Sequence, residues 1–315
     1  MTTPSPPPLN RGVLYAASAY VTWGIIPIFW KLLDHVGAVE IVVHRIVWTL
    51  IFAMAALAAW ERLPKLWTAL KNRDVLLALL ASAVLIAIIW GLFIWAVTVD
   101  RIIDTSLGYY INPLVSFVLG VVWLGERLTK LQLAAIALAV LGVVNQTVAL
   151  GYLPWISLVL ALSFGIYGLI RKTVAVESLE GLTIEAIILA PLSLAYICYM
   201  VASGQGAFMH VNLTTDALLI LAGPLTAIPL LLFAAGARLV RLSTMGFLQY
   251  LAPSISLVIA VFLYDEPFTQ THAITFALIW SALALVSGEA IRRDRSARAA
   301  QRVESASPVI SSNTP

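Results

Sequence analysis

Long apolar runs separated by short polar stretches dominate the chain. A bilayer is crossed by about 20 apolar residues in a helix, and about ten runs reach that length. Their approximate bounds are 11–33, 40–60, 74–97, 103–123, 130–149, 152–171, 181–203, 216–237, 242–263 and 271–291. The pattern predicts an all-α integral membrane protein with about ten transmembrane helices. The polar ends at 1–10 and 292–315 are expected to be disordered, the second of them cytoplasmic.

One of these runs occurs twice. Thr105–Glu126 reads TSLGYYINPLVSFVLGVVWLGE, and Ser243–Glu266 reads STMGFLQYLAPSISLVIAVFLYDE. Both contain a glycine followed by an aromatic residue, then a tyrosine, a central proline and a final glutamate. Pro113 and Pro253 lie 140 positions apart, as do Glu126 and Glu266. A proline in an apolar run is a place where a membrane helix opens its backbone towards a partner or a cavity.

The repeat extends beyond this run. Gly24–Lys31 (GIIPIFWK) matches Gly165–Lys172 (GIYGLIRK) at an offset of 141 positions. The second copy starts five runs after the first, an odd number, so the copies would cross the membrane in opposite directions, as in many secondary transporters. The sequence predicts two inverted five-helix repeats, 11–150 and 151–291, around a central cavity.

Charge and composition sharpen this prediction. If the runs alternate in direction, sixteen of the 19 lysines and arginines fall on one side of the membrane, which predicts cytoplasmic termini. The chain is 61% apolar and 11% charged, with a mean hydropathy of +0.95, which excludes a soluble globular protein. Its net charge of +3 comes largely from the tail arginines. We therefore predict that the basic tail anchors the protein at the membrane surface and that the protein does not bind nucleic acid.

Polar and aromatic side chains in these runs are candidates for the wall of the cavity. Asn112 precedes Pro113, so its amide either caps backbone groups freed by the proline or meets a ligand. A tryptophan would offer a flat apolar surface to a solute, or would serve as a packing or interfacial residue. The predicted cavity residues are Trp23, Trp90, Tyr109, Tyr110, Asn112, Gln249 and Tyr250.

Charged residues near the ends of the runs predict two gates. A charge near the bilayer centre costs about 2.5–3.5 kcal/mol on insertion scales, so each such residue either has a function or lies near an interface. Snorkelling and local helix pairing remain the alternative. The predicted outer gate consists of Lys31, Glu40, His44, Arg45 and Glu266, and the predicted inner gate of Glu126, Arg171, Lys172 and Glu185.

Several segments together resemble a known family. They are WGIIPIFWK at 23–31, EIVVHRIVW at 40–48, SLGYYINPLVSFVLG at 106–120, LGERL at 124–128, YGLIRK at 167–172 and LSTMGFLQYLAP at 242–253. The chain resembles the drug/metabolite transporter superfamily with EamA-type repeats, and within it the RarD-type members. The resemblance covers nearly all of 11–291. It implies ten helices, a central cavity, a bacterial inner membrane location, and movement of small metabolites or drugs, often outward.

The expected activity is therefore secondary transport, without an enzymatic reaction. The sequence has no phosphate-binding loop for ATP and no acidic metal motif, and its histidines lack metal-ligand companions, so we expect no cofactor and no metal. Export by alternating access is the leading hypothesis, with His44 or Glu185 as a proton carrier. A facilitative, channel-like permease or a uniporter without ion coupling is the alternative. The expected partners are a small-molecule substrate and membrane lipid, and the oligomeric state stays open.

Overall fold

The structure, a computed structural model, describes residues 8–98, 102–151, 155–264 and 269–306. This part of the chain is helical and contains no strand. The helices are α1 (Pro8–Ile25), α2 (Pro27–Lys31), α3 (Ala38–Ala59), α4 (Leu63–Lys71), α5 (Arg73–Thr98), α6 (Ile102–Val122), α7 (Lys130–Leu150), α8 (Trp155–Thr173), α9 (Ser178–Ser203), α10 (Leu213–Leu239), α11 (Leu242–Gln249), α12 (Leu251–Leu263) and α13 (Gln270–Ala306).

The helices follow the apolar runs because a helix satisfies its backbone hydrogen bonds internally, which lipid requires. Among the described residues, eight helical stretches are long and apolar enough to cross a bilayer. Two shorter apolar stretches, Gly108–Val122 in α6 and Ala273–Val286 in α13, account for the other two predicted runs. The predicted all-α integral membrane fold with about ten helices is confirmed.

Two of the spans are interrupted near a proline. Pro27 follows the break between α1 and α2, and Pro253 follows the break at Tyr250 between α11 and α12. A proline removes the hydrogen bond to the carbonyl four residues earlier and its ring clashes with that carbonyl, which favours such a break. Pro113, the counterpart of Pro253 in the first repeat, lies inside the continuous helix α6. Helical hydrogen bonding is therefore interrupted for one residue before Pro253 but not before Pro113, although Tyr250 keeps helical dihedral angles.

Two helical segments lie outside the predicted runs. The short helix α4 connects the spans formed by α3 and α5, and its Trp67 is 62% exposed. Two lysines, Lys65 and Lys71, flank this tryptophan, a composition that suits the membrane surface. Helix α13 continues to Ala306, which is beyond the end of the last apolar run at 291.

The closest helix packing joins the first half of the chain to the second. Helix α1 packs on α10 and α12, α3 on α9 and α10, α5 on α8, α6 on α8 and α11, and α7 on α13. Each of these pairs combines one helix from 11–150 with one from 151–291. The halves are therefore interleaved, and a site between them draws side chains from both.

Small residues permit these close crossings. A Cβ on Gly223 of α10 would lie 2.4 Å from the Cβ of Trp48 on α3. A Cβ on Gly165 of α8 would lie 2.6 Å from a methyl group of Val115 on α6. Without a hydrophobic driving force between helices in lipid, such close backbone packing is a main source of association.

The helix ends form two faces. At one end of the bundle, the ends of α3, α6, α8 and α10 contact the starts of α9 and α11. Several basic residues lie there, including Arg62, Arg171, Arg238 and Arg241. We call this end of the bundle the arginine-rich face. The other end, where α3 starts near the connection between α9 and α10, is called the opposite face. The residues of the predicted inner gate lie towards the arginine-rich face, and Glu40 and His44 of the predicted outer gate lie at the opposite face.

Candidate functional site

Glu126 joins the end of α6 to the start of α11 at the arginine-rich face. Its Oε1 accepts a hydrogen bond from the Leu242 N–H at 2.6 Å, and its Oε2 accepts from the N–H and Oγ of Ser243 at 3.0 and 2.6 Å. Arg241 Nε lies 3.6 Å from Oε2. The first N–H groups of a helix have no partner within that helix, and a carboxylate satisfies them while complementing the helix dipole. Glu126 therefore attaches the first half of the chain to the second.

The packing beside this attachment closes the boundary between the halves. The rings of Phe117 on α6 and Phe247 on α11 lie 4.3 Å apart. A Cβ on Gly246 would lie 2.9 Å from the Pro113 carbonyl oxygen. Helix α6 makes little contact with α12, the half of the same span that runs to the opposite face. The two central spans are thus in close contact near the arginine-rich face and separate towards the opposite face.

Arg171 and Glu185 form a buried pair that the predicted inner gate contained. Arg171 Nη1 lies 3.6 Å from Glu185 Oε1, and Arg171 Nη2 donates to the Ser178 carbonyl at 2.9 Å. Ser82 Oγ donates to the Glu185 carboxylate. Within the described part of the chain, Nε and Nη1 of Arg171 have no hydrogen-bond partner. The charges are therefore paired at a distance and incompletely satisfied, which is costly in a buried site.

A small cavity adjoins this pair. Its volume is about 20 Å³, and it lies between α3, α5, α9 and α10. A cavity of this size holds about one water molecule and does not hold a solute. Its wall includes Glu185 and Trp90, so a residue of the predicted inner gate and one of the predicted cavity set border the same space.

Lys172, the remaining member of the predicted inner gate, binds a helix end. Its Nζ donates to the carbonyl oxygens of Ala237 at 2.9 Å and Val240 at 2.5 Å. These are among the carbonyls left unpaired at the end of α10, where a cation is favoured. The predicted inner gate is therefore three neighbouring attachments and not one cluster.

The arginine-rich face carries a further attachment that the sequence did not single out. Arg62 Nε and Nη2 donate to the two carboxylate oxygens of Glu180 at 2.9 and 2.7 Å, and Lys65 Nζ donates to Glu177 at 2.9 Å. The hydrogen bond from Lys65, with the nearby charge of Arg62, holds the pKa of Glu177 below its ordinary value. The sequence did carry a signal for this attachment: acidic residues lie at the start of α9, and basic residues lie in the connection between α3 and α5.

Glu40 and His44 of the predicted outer gate face the connection between α9 and α10. Glu40 Oε1 accepts from the N–H groups of Ala207 at 2.7 Å and Phe208 at 3.0 Å. His44 Nδ1 accepts from Trp48 Nε1 at 3.1 Å, and its ring centroid lies 4.6 Å from that of Phe208. Both side chains are buried. They attach the start of α3 to the connection between α9 and α10 at the opposite face.

Two other residues of the predicted outer gate do not join this pair. Lys31 is exposed, and its Nζ lies 5.1 Å from the centroid of the Tyr264 ring. Glu266 lies outside the described residues.

Arg45 points to a different region from His44, its neighbour in sequence. Its Cζ lies 4.9 Å from the centroid of Trp30 and 4.8 Å from that of Trp90, so the guanidinium is held between two indoles. Arg45 Nε donates to Thr226 Oγ1 at 2.9 Å. The Tyr109 side chain, which is 49% exposed, lies near Arg45. We call these five residues, contributed by α2, α3, α5, α6 and α10, the Arg45 site.

The Arg45 site combines predictions from two groups and adds two residues. Arg45 was predicted for the outer gate, whereas Trp90 and Tyr109 were predicted for the cavity wall. Trp30 and Thr226 were not singled out, although Trp30 lies in the segment WGIIPIFWK that carried the resemblance.

The other predicted cavity residues are largely buried in packing. Tyr250 Oη donates to the Tyr110 carbonyl at 3.3 Å, and both tyrosines are buried. Gln249 and Asn112 are also buried, and Asn112 Oδ1 has no hydrogen-bond partner among the described residues. Trp23 belongs to an aromatic cluster with Tyr20, Phe164 and Phe233. Only Trp90 and Tyr109 of the predicted set lie at the Arg45 site.

Interleaved helices that are long and apolar enough to cross a bilayer, two of them interrupted near a proline, are common in membrane transporters. Comparison with known proteins gives the family. The sequence profile of the EamA-like transporter family matches residues 10–145. The chain belongs to this family, within the drug/metabolite transporter superfamily, as its motifs predict.

Relatives match along nearly the whole chain. An uncharacterized transporter of Pseudomonas aeruginosa, PA0485, is 45% identical over 286 residues, which cover 90% of this chain and 95% of that protein. The uncharacterized transporter YojE of Bacillus subtilis is 40% identical, with coverages of 92% and 97%. Protein RarD of Escherichia coli is 42% identical, with coverages of 91% and 97%. The protein is thus a multi-pass bacterial membrane protein of a transporter family.

A crystal structure of another protein has the same fold. It superposes with a TM-score of 0.70 and covers 90% of this chain and 98% of its own. At 17% sequence identity, this likeness supports the helical architecture alone.

Proposed function

We propose that the protein is a secondary transporter that exports a small metabolite or drug-like solute across the bacterial cytoplasmic membrane by alternating access. The observation that carries the proposal is the asymmetric packing of the two central spans. Helix α6 is in close contact with α11 and makes little contact with α12. A fixed pore would have no need for a boundary closed at one face alone.

In this proposal the arginine-rich face is cytoplasmic and both termini lie on that side, because basic residues accumulate in cytoplasmic connections. The arrangement described here then has its closed face inside. The Glu126 attachment and the contact between Phe117 and Phe247 form the inner closure. Transport requires this closure to open while α6 and α12 approach each other at the outer face.

Glu185 is the proposed proton carrier. It is buried, it borders a cavity with room for a water molecule, and its nearest cation is held at 3.6 Å without a direct hydrogen bond. The carboxylate is buried and has no direct hydrogen bond to Arg171, which favours uptake of a proton, and Ser82 can still donate to the neutral carboxyl group. His44 is the weaker candidate, since its Nδ1 already accepts a hydrogen bond from Trp48.

The test is flux in proteoliposomes with an imposed pH gradient. The purified protein is screened by counterflow of labelled amino acids, nucleosides and amphipathic organic ions. Saturable flux that follows the gradient, and that becomes indifferent to it in a Glu185→Gln variant, supports proton-coupled transport. Saturable flux that ignores the gradient in the parent protein refutes the coupling and favours the facilitative alternative. Non-saturating conductance refutes alternating access, and chemical conversion of a solute would identify an enzyme.

A further inference from the structure

The Arg45 site has a cation without an acidic partner at membrane depth. Arg45 is the eighth residue of α3, so it lies about 10 Å from the start of the helix at a rise of 1.5 Å per residue. Within the part of the chain that the structure describes, no carboxylate pairs with it. An ionised arginine in this setting is costly and is generally found where it has a function.

The neighbours of Arg45 hold its orientation. The two indoles lie against the guanidinium at 4.9 and 4.8 Å, within the range of a cation–π contact. Thr226 takes the Nε hydrogen at 2.9 Å and donates its own hydroxyl to the Ala222 carbonyl at 2.7 Å. The guanidinium is therefore fixed by its faces and by Nε. Its two Nη groups remain available.

These Nη groups make no hydrogen bond to any described residue. They are also not sealed off, because Arg45, Trp30 and Trp90 are partly exposed and Tyr109 is 49% exposed. The outer edge of a guanidinium fits a carboxylate through two parallel hydrogen bonds, and a lysine cannot reproduce that geometry. Arg45 lacks a negative counter-charge, and its two Nη groups lack hydrogen-bond acceptors. One organic anion would supply both.

We propose that the Arg45 site binds a small organic monoanion, a carboxylate or its sulfonate analogue, as the transported solute. The acid group binds the two Nη groups of Arg45, and the body of the solute lies against the edges of Trp30 and Trp90 with Tyr109 on the open side. This inference rests on the proposed transport function and names the charge class of its solute.

Trp90 links this site to the proposed proton carrier. One indole contacts Arg45 at 4.8 Å and also borders the cavity that contains Glu185. An anion that enters the Arg45 site therefore comes to lie one side chain away from the Glu185 cavity. A protonated Glu185 would reduce the negative charge near the anion.

Binding is tested with three ligands of similar shape and different charge: benzoate, benzamide and benzylamine. In nanodiscs at pH 7.5, benzoate is expected to raise the melting temperature, while benzamide and benzylamine at the same concentration have at least about tenfold weaker effects, because each lacks a charge-assisted contact. Equal shifts for the three ligands, or a preference for benzylamine, would overturn the proposal.

Two variants and a control assign the binding to the site. Arg45→Lys keeps the charge and loses the fork and the stacking, and Thr226→Val loses the bond that orients Nε. Both are expected to weaken benzoate binding by about tenfold or more. Arg127→Gln removes an exposed arginine from the arginine-rich face and should bind as the parent does. If Arg45→Lys does not fold, Thr226→Val still decides, since unchanged benzoate binding in that variant contradicts the assignment.

Transport is tested with labelled benzenesulfonate, which stays ionised and does not cross bare lipid. Counterflow by the parent protein and its loss in Arg45→Lys are expected. If amino acids or nucleosides are transported but benzenesulfonate neither binds nor moves, the anion proposal fails and the transport function stands. If benzoate binds selectively but no solute of any class moves, the transport function fails instead.

Discussion

Removal of the Glu126 carboxylate should open the arginine-rich face. In Glu126→Gln, one amide oxygen replaces two carboxylate oxygens that together accept three hydrogen bonds at 2.6, 3.0 and 2.6 Å. The amide NH₂ group would then face a donor from Leu242 or Ser243. At least one charge-assisted bond is lost and one donor is left poorly paired, so we expect the closed state to lose about 2–4 kcal/mol.

This loss affects the closed state selectively. When α6 and α11 separate, the Glu126 attachment is broken in the parent protein as well, so the substitution leaves the open state largely unchanged. A difference of about 2–4 kcal/mol shifts the equilibrium between closed and open states by about 30- to 1000-fold. The effect should therefore be measurable even if the open state is rare in the parent.

Cysteine accessibility measures the shift. Cys198→Ser removes the single native cysteine, which is exposed, and Ser116→Cys places a thiol of similar size at a buried position of α6 between Pro113 and Phe117. The rate of labelling by a membrane-impermeant maleimide is compared with and without Glu126→Gln. We expect an increase of at least about tenfold, since the rate follows the population of the open state.

Asp74→Asn is the matched control. Asp74 is an exposed acid near the same face, in the first turn of α5, and its removal should leave the labelling rate unchanged. If Glu126→Gln labels at the parent rate, or if Asp74→Asn has the same effect, the Glu126 attachment does not hold the face closed.

Three further substitutions test the packing and the charges. Glu40→Gln should lower the free energy of unfolding by about 1–3 kcal/mol, measured by denaturation in detergent, because Glu40 accepts two buried N–H groups at 2.7 and 3.0 Å; an unchanged value would contradict this. Gly223→Ala should lower the free energy of unfolding by about 1–3 kcal/mol or more in the same assay, because its Cβ would lie 2.4 Å from the Cβ of Trp48. The control Gly91→Ala should be neutral or stabilising, because a Cβ there meets nothing within 4 Å. Equal effects of the two substitutions would refute the packing argument. Glu177→Gln should lower the free energy of unfolding by less than about 1 kcal/mol at pH 7, because the ion pair of Glu177 with Lys65 is largely exposed. The pKa of Glu177 is lowered in the folded state, so its contribution is present above the ordinary glutamate pKa and should vanish as the pH falls through the lowered value; a melting-temperature difference from the parent that grows on acidification would contradict this.

The sequence predicted the spans well because hydropathy along the chain is itself the cause of the helices in lipid. It missed α4, since nine residues with two lysines are too short and too polar to register as a span. It also gave no way to distinguish the matched prolines. Pro113 lies in a continuous helix and Pro253 follows a break, although both stand in similar apolar runs.

The partners of the charged residues could not be predicted from the sequence. Their positions near helix ends were predicted, but most of their partners are backbone groups, which carry no signal in the sequence. Glu126 binds N–H groups of α11, Glu40 binds N–H groups of a connection, and Lys172 binds carbonyls of α10. Whether the attachments made by these residues act as gates remains a prediction.

Arg45 illustrates a second limit. Adjacent residues of a helix are turned about 100° apart, so Arg45 and His44 face different directions although both were predicted for the outer gate. The neighbours of each side chain depend on how α3 is rotated and packed in the bundle, and this rotation could not be predicted from the sequence. The structure directs His44 to the connection near Phe208 and directs Arg45 to Trp30 and Trp90.

Pairs of spin labels, one pair at each face, measure whether the two faces open alternately. One pair, at Arg11 on α1 and Trp123 at the end of α6, spans the arginine-rich face. The other, at Trp155 on α8 and Leu263 on α12, spans the opposite face, and all four positions are exposed. Distances are measured by electron–electron double resonance in nanodiscs, with and without a transported solute and at two pH values.

Alternating access predicts opposite changes at the two faces. As the population shifts, the distance between labels at Arg11 and Trp123 should lengthen while that between labels at Trp155 and Leu263 shortens. We expect this because α8 packs closely on α6 and α12 packs on α1, so each pair should move together. If both distances stay fixed while solute crosses the membrane, or if both widen together, the protein is a fixed or simply gated pore and alternating access is wrong.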